Sequence, residues 1–177
     1  MTLRQPTSLA LAGVLLVASA SAVTAQSCAA RLDVADWALV RSADVPGFTL
    51  RLPRAFTRDS TPPSNAARAT SRTAWWADAT RGRLGIRSAH DSSAHAELAS
   101  AGGRSGYLRC EERVGSAVAV IVHYEAGAQG NQNGPFVVRA RIRWADGEEL
   151  DVRGDAPDRE RLAQLLTAVR TIRRSGA

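Results

Sequence analysis

The fold class of this chain follows from three stretches near its end, which read FVVRARIRW at residues 136–144, LDVR at residues 150–153 and DRERLAQLLTAVRTIR at residues 158–173. In the first stretch apolar residues alternate with arginines, a period of two that is typical of a strand with one buried and one solvent-exposed face. In the third stretch leucines recur at helical spacing and form one apolar stripe. We therefore predict two strands followed by a helix, which packs on the apolar face of the strands and leaves the arginines facing away from it.

The loop between the two strands determines which residues pair. A two-residue loop, Asp146–Gly147, would place apolar residues opposite charged ones. A three-residue loop, Asp146–Glu148, instead pairs apolar with apolar residues and positive with negative ones, so that the cross-strand pairs are favourable on both faces of the sheet. The pairs that this longer loop predicts are Trp144 with Leu150, Ile142 with Val152, and Arg143 with Asp151.

The helix is predicted to extend from Asp158 to Arg173. Asp155 is the predicted N-cap, and Pro157 suits the first turn because an N–H group there would have no partner within the helix. Acidic residues at the start of the helix and arginines at its end complement the helix dipole.

Further strands are predicted at residues 36–40, 48–52, 73–77, 83–88, 107–114 and 117–124. Because Trp75 and Trp76 are adjacent, they must point to opposite faces, which predicts one core residue and one that is half-covered or exposed at a contact site. Ser92–Ala101 predicts a shorter helix, and residues 57–70, rich in Ser, Thr and Pro, predict an exposed loop. The expected fold is α+β: a single antiparallel β-sheet of about six to seven strands packed by the C-terminal helix and the shorter helix.

The start of the chain has the features of a secretory signal peptide. A short apolar core, Leu9–Val17, is followed by small residues that end in a small-x-small cleavage pattern, Val23-Thr24-Ala25. We expect residues 1–25 to be a signal peptide and residues 26–177 to form a single secreted domain. The apolar core is too short for a stable membrane span. The protein is therefore expected to be exported, periplasmic or extracellular, with no transmembrane segment after signal removal.

The chain has only two cysteines, Cys28 and Cys110, and exported chains with an even number usually pair them. We therefore predict a disulfide bond between the two. The alternative is a lipoprotein in which Cys28 carries the lipid. The preceding Ala25-Gln26-Ser27 departs from the Leu-Ala-Gly-like pattern that such processing prefers, so the disulfide is favoured.

The formal net charge of +6 comes from arginine alone, since the chain contains no lysine. This usage is typical of a GC-rich bacterial genome. The arginines are interleaved with Asp and Glu and are not gathered in one run, and export also argues against a nucleic-acid partner. Composition therefore does not predict nucleic-acid binding.

The densest group of chemically reactive residue types lies between His90 and Glu97. His90 and His95 are five positions apart, a spacing that does not place both on one helical face as a zinc-binding helix requires. The nearby serines lack the Gly-x-Ser-x-Gly context of a nucleophile. A polar loop that caps a helix is the favoured interpretation, and a secreted hydrolase or metal-dependent enzyme that uses His90–Glu97 is the alternative. No catalytic residue, metal ligand or cofactor is predicted.

Arginines also fall on the polar side of several predicted strands and would together form one cationic surface. They are Arg83, Arg87, Arg109, Arg113, Arg139, Arg141, Arg143 and Arg153. Guanidinium groups bind carboxylate and phosphate through paired hydrogen bonds, so such a surface suits an anionic envelope polymer, a lipid headgroup or an acidic protein. The residues chosen as a candidate anionic-ligand face are Arg87, Arg109, Arg139, Arg141 and Arg143. The alternative is a solvated face that nearby carboxylates neutralise.

The order of these elements resembles the PsbP-like α+β superfamily, named after an extrinsic protein of the photosynthetic oxygen-evolving complex. The resemblance is carried by Gly47–Pro53 with Phe56 just after it, by the Tyr107–Tyr124 hairpin, and by the closing strand pair with Leu165–Arg173. It implies a noncatalytic binding or assembly module of the cell envelope, whose partner is an envelope protein or an anionic surface. It transfers no functional residue to this chain.

Overall fold

The computed structural model describes residues 31–60, 73–89, 98, 102–126 and 134–175. Over these residues the chain is mostly β structure, with ten strands in two sheets and one helix of fully described extent. The strands are β1 Ala38–Arg41, β2 Phe48–Leu52, β3 Thr57–Asp59, β4 Thr73–Ala77, β5 Arg83–Ser88, β6 Leu108–Val114, β7 Ala117–Glu125, β8 Phe136–Arg143, β9 Glu149–Ala156 and β10 Arg173–Arg174. The helix, α1, spans Arg159–Arg170 and lies between β9 and β10.

Seven strands form one antiparallel sheet in the order β3-β4-β5-β9-β8-β7-β6. This confirms the predicted sheet of six to seven strands. One face is apolar and lies under α1: Leu150, Val152 and Ile142 are buried there together with the leucines of the helix. Helix and sheet approach closely at Gly154, where an added Cβ would meet Leu165 Cδ1 at 3.0 Å. The opposite face carries the arginines, and we call it the polar face.

The prediction of a single sheet was wrong, because three strands form a second, smaller one. Its order is β1-β2-β10, with β2 in the middle. β2 buries Phe48, Leu50 and Leu52 against the same core as the large sheet. Alternation predicted this strand correctly, but alternation shows only that one face is buried and does not identify the neighbouring strand. A further correction concerns residues 57–70, where the predicted loop begins with strand β3.

The β8–β9 hairpin has a three-residue loop, as predicted, but the loop lies one residue earlier, at Ala145–Gly147. Trp144 N–H donates to Glu148 O at 3.0 Å, and Gly147 N–H donates to Trp144 O at 3.0 Å. Consequently Ile142 pairs with Leu150, Ala140 with Val152, and Arg141 with Asp151, a shift of two residues from the predicted pairs.

The physical reason for this shift is the backbone conformation that the loop requires. The last residue of such a loop is left-handed, and Gly147, with φ of 87°, takes that position without steric cost, whereas the predicted loop would have placed Glu148 there. The Asp146 side chain reinforces the turn by accepting a hydrogen bond from Glu148 N–H at 3.2 Å. Arg174 of β10 also donates to this carboxylate, and that hydrogen bond lowers the pKa of Asp146.

Helix α1 is shorter than predicted at both ends. Its N-cap is Asp158, whose Oδ1 accepts a hydrogen bond from Arg161 N–H at 2.7 Å, and not Asp155, which is buried in β9. The helix ends at Arg170 because Thr171, the C-cap, turns to β2: its Oγ1 accepts from Arg51 N–H at 2.8 Å. Arg173, the predicted last residue of the helix, instead begins β10.

Two predicted segments fall wholly or mostly outside the described residues. The signal peptide, residues 1–25, is one of them. Of the predicted helix Ser92–Ala101 only Leu98 is described, and it is helical and buried.

Candidate functional site

The centre of the polar face is built by β5, β8 and β9, which lie side by side in the large sheet. The register places Asp151 of β9 between Arg87 of β5 and Arg141 of β8. In the adjacent row Arg153 of β9 lies between Gly85 of β5 and Arg139 of β8. Three of the five arginines of the candidate ligand face, Arg87, Arg139 and Arg141, therefore lie on the two strands that flank β9.

The other two arginines of that candidate face lie away from this centre. Arg143 is at the end of β8, and its side chain is 69% exposed. Arg109 is exposed on the edge strand β6 and is separated from Arg139 by Val122 of β7. The structure thus divides the predicted face into a central cluster and two outlying arginines.

The central arginines are buried, which corrects the expectation of a solvated face. Arg139 is 9% exposed and Arg141 is 5% exposed. A buried guanidinium is tolerated when carboxylates and carbonyls lie around it, because its desolvation cost is then offset. Strand alternation identifies which face a side chain points to and cannot show whether other parts of the chain cover that face.

Ion pairs account for the burial of the row that contains Asp151. Arg141 Nε lies 3.2 Å from Asp151 Oδ1 and 3.5 Å from Glu149 Oε2. The second oxygen of Asp151, Oδ2, lies 3.4 Å from Arg87 Nη2. Arg143 Nε contacts Glu149 Oε1 at 3.1 Å. Asp151 and the neighbouring Glu149 therefore each have arginine partners.

The adjacent row is less balanced. Arg139 Nη1 donates to Val138 O at 2.8 Å and to Gly154 O at 3.4 Å, and lies 3.9 Å from Asp155 Oδ1. Arg153, directly opposite Arg139, is half-buried, and no hydrogen bond or ion pair joins its side chain to the described residues. Its Nε is buried without a hydrogen-bond partner. Two like charges opposite each other destabilise a sheet, so this pair requires an explanation.

Trp75 continues the same row on β4, next to Gly85. A Cβ on Gly85 would lie 2.7 Å from the indole ring, so the ring rests directly on the glycine backbone. The guanidinium of Arg83 lies 5.8 Å from the ring centroid, a cation–π contact. The indole Nε1 is buried without a hydrogen-bond partner.

The two adjacent tryptophans do point to opposite faces, as predicted: Trp76 lies in the main core and Trp75 on the polar face. Trp75, however, is only 6% exposed and is therefore not half-covered or exposed as expected. Sequence reasoning also did not select Arg153 for the candidate face. Its place opposite Arg139 depends on the β8–β9 register, which the predicted loop shifted by two residues.

His123 lies on the apolar face of β7 and is half-buried. Burial, and secondarily the positive charge of Arg159, lowers its pKa from the ordinary value of 6.5. His123 is therefore neutral at neutral pH, and it is remote from the central arginines because it faces the other side of the sheet.

The His90–Glu97 group lies outside the described residues, and the enzyme hypothesis built on it stays an alternative. Within the described ranges, no group of three or more His, Cys, Asp and Glu side chains could hold a metal ion. No described cysteine is free. Since Cys28 is not among the described residues, the disulfide with Cys110 stays a prediction.

The chain matches no protein-family model and no curated protein. The resemblance to the PsbP-like superfamily therefore rests on the order of the elements and stays a prediction. None of the helices in the described part of the chain has the length and apolar character needed to cross a membrane.

Proposed function

We propose that this protein is an exported, noncatalytic binding or assembly module of the bacterial cell envelope, and that the polar face of its large sheet holds an anionic group of its partner. The proposal continues the expectation drawn from the sequence. What supports it most directly is an excess of arginine at the centre of the polar face.

Between β3 and β8 this face carries six arginines and four carboxylates. They are Arg83, Arg87, Arg139, Arg141, Arg143 and Arg153 against Asp59, Glu149, Asp151 and Asp155. The carboxylates are already paired: Asp59 with Arg83, Glu149 and Asp151 with Arg141, and Asp155 with Arg139. An excess of positive charge within a partly buried surface raises the local potential and attracts anions. A purely structural face would gain stability from a more even balance.

The test is a binding assay with a carboxylated polysaccharide, polygalacturonate, and with vesicles that contain phosphatidylglycerol. Uncharged dextran and phosphatidylcholine vesicles are the controls. We expect co-sedimentation with at least one anionic probe, weakening as salt rises from about 0.05 M to 0.5 M because screening shortens the range of the attraction. Equal retention by charged and uncharged probes, or retention by none of them, would contradict the proposal.

A further inference from the structure

The most unusual group on the polar face is the side chain of Arg153. Arginine almost never remains buried without a partner, since each N–H group removed from water must be satisfied elsewhere. Here Nε is buried and has no acceptor. The residue directly opposite is another arginine, Arg139. Arg153 therefore has a buried N–H group without an acceptor and lies opposite a like charge.

The nearest carboxylates do not satisfy Arg153. Asp151 and Asp155 flank it along β9, on the same face. Asp151 is paired with Arg141 and Arg87, and Asp155 lies 3.9 Å from Arg139. Within the part of the chain that the structure describes, neither carboxylate forms an ion pair with Arg153.

A second buried donor lies in the same row. Trp75 is 6% exposed, and its Nε1 has no hydrogen-bond partner. The row runs Trp75, Gly85, Arg153 and Arg139 over four adjacent strands, whose neighbours lie about 4.8 Å apart. The row therefore holds two unsatisfied N–H groups, one on an arginine and one on a tryptophan.

We infer that Arg153, supported by Arg139 and Trp75, is the anchor for an oxyanion, a carboxylate or a phosphate carried by the partner. Both unsatisfied groups are donors with no acceptor atom, so the ligand must supply acceptor oxygens. The guanidinium charge of Arg153, which no described carboxylate pairs, favours a negative ligand. The inference rests on the proposed function and assigns that function to particular residues.

The experiment measures binding of two small probes, inorganic phosphate and glucuronate, to the full mature protein. The indole Nε1–H resonances of the four tryptophans are followed by 15N-labelled NMR, and Trp75→Phe identifies the resonance of Trp75. We expect one probe to shift that resonance and to leave those of Trp37, Trp76 and Trp144 in place. The probe that acts shows whether the natural anion is a phosphate or a carboxylate.

Arg153→Met and Arg113→Met form the matched pair of variants. Methionine keeps much of the apolar stem, and Arg113 is exposed on β6 of the same face. We expect Arg153→Met to weaken binding about tenfold or more, as loss of a charged hydrogen bond does, and Arg113→Met to leave binding within about twofold. Arg153→Met should melt at or above the wild-type temperature, because it removes an unpaired charge, so a loss of binding would not reflect unfolding.

The outcomes separate this inference from the proposed function. If the wild type retains polygalacturonate or anionic vesicles but Arg153→Met retains them equally well, the anchor is elsewhere and the proposed function stands. If the Trp75 resonance moves with neither probe, the assignment of the row is likewise overturned. If the wild type binds no anionic probe at all, both the proposed function and the assignment fail.

Discussion

Arg81 is the only residue other than glycine with a positive φ, 71°, in the described part of the chain. It ends the loop between β4 and β5, where Asp78 N–H donates to Gly82 O at 3.0 Å and Arg81 N–H donates to Asp78 O at 3.2 Å. The β8–β9 hairpin has the same two hydrogen bonds, and Gly147 occupies the equivalent position there. A side chain in this conformation costs about 1 kcal/mol.

We therefore predict that Arg81→Gly raises the free energy of unfolding by up to about 1 kcal/mol, since the strain relieved exceeds the added backbone entropy of the unfolded chain. Gly147→Ala is the matched control with the opposite sign. No neighbouring side chain or backbone lies within 4 Å of a Cβ built there. The expected decrease of about 1 kcal/mol in the free energy of unfolding therefore comes from the backbone conformation alone. Urea denaturation measures both variants, and a destabilised Arg81→Gly would contradict this account.

Asp78 connects two elements, the β4–β5 turn and helix α1. Its carboxylate accepts hydrogen bonds from Thr80 N–H at 2.9 Å and from Gly82 N–H at 2.8 Å. It also pairs with Arg161 of the helix, whose Nε lies 2.7 Å from Oδ2, and the Asp78 side chain is only 1% exposed. This single carboxylate therefore fixes the turn and attaches it to the helix.

We predict that Asp78→Ala lowers the free energy of unfolding by about 3 kcal/mol, because it leaves two N–H groups of the turn unsatisfied and removes the buried carboxylate partner of Arg161. Asp78→Asn retains an acceptor oxygen for the turn and loses only the ionic interaction with Arg161, so a smaller decrease in the free energy of unfolding is expected. Thermal and urea unfolding compare the two variants with the wild type. An Asp78→Ala protein as stable as Asp78→Asn would show that the turn hydrogen bonds contribute nothing.

At the level of elements, sequence patterns located strands well and their neighbours poorly. Alternation identified β2, β5 and β8, because it depends only on the burial of one face. Alternation could not show that β2 belongs to a second sheet, since that depends on Thr171 ending the helix and on β10 pairing with β2. The pattern also predicted a β8–β9 register that is wrong by two residues, because the backbone requirement at Gly147 outweighed the matching of side chains.

For the whole molecule, the same limitation explains how much of the candidate site could be predicted. The presence of arginines on one face follows from residue spacing, and the structure places Arg87, Arg139 and Arg141 on the two strands that flank β9. Their burial and the unpaired state of Arg153 depend on which carboxylate each guanidinium reaches. Those carboxylates, Glu149, Asp151 and Asp155, all lie on β9, and a one-dimensional pattern does not contain their distances from the guanidinium groups.

The predicted Cys28–Cys110 disulfide would act on the molecule as a whole. Cys110 is buried on β6, which is the edge strand of the large sheet and, among the described strands, pairs only with β7. A bond to Cys28 would attach the start of the mature chain to this edge and close a loop of about 80 residues, which the chain-entropy model values at about 4 kcal/mol. Arg31 Nη2 lies 3.5 Å from Glu112 Oε2 of the same strand.

We predict that reduction lowers the free energy of unfolding by about 2–4 kcal/mol, because native-state strain usually removes part of the entropic gain. The measurement is urea denaturation of the purified exported protein with and without reductant. The Cys28→Ala/Cys110→Ala variant is the control, since reductant should not change its stability. Alkylation without reductant should modify neither cysteine in the wild type, and two modified thiols would refute the bridge. One modified thiol on a lipid-bearing chain would instead establish the lipoprotein alternative, in which the edge strand has no covalent attachment to the N-terminus.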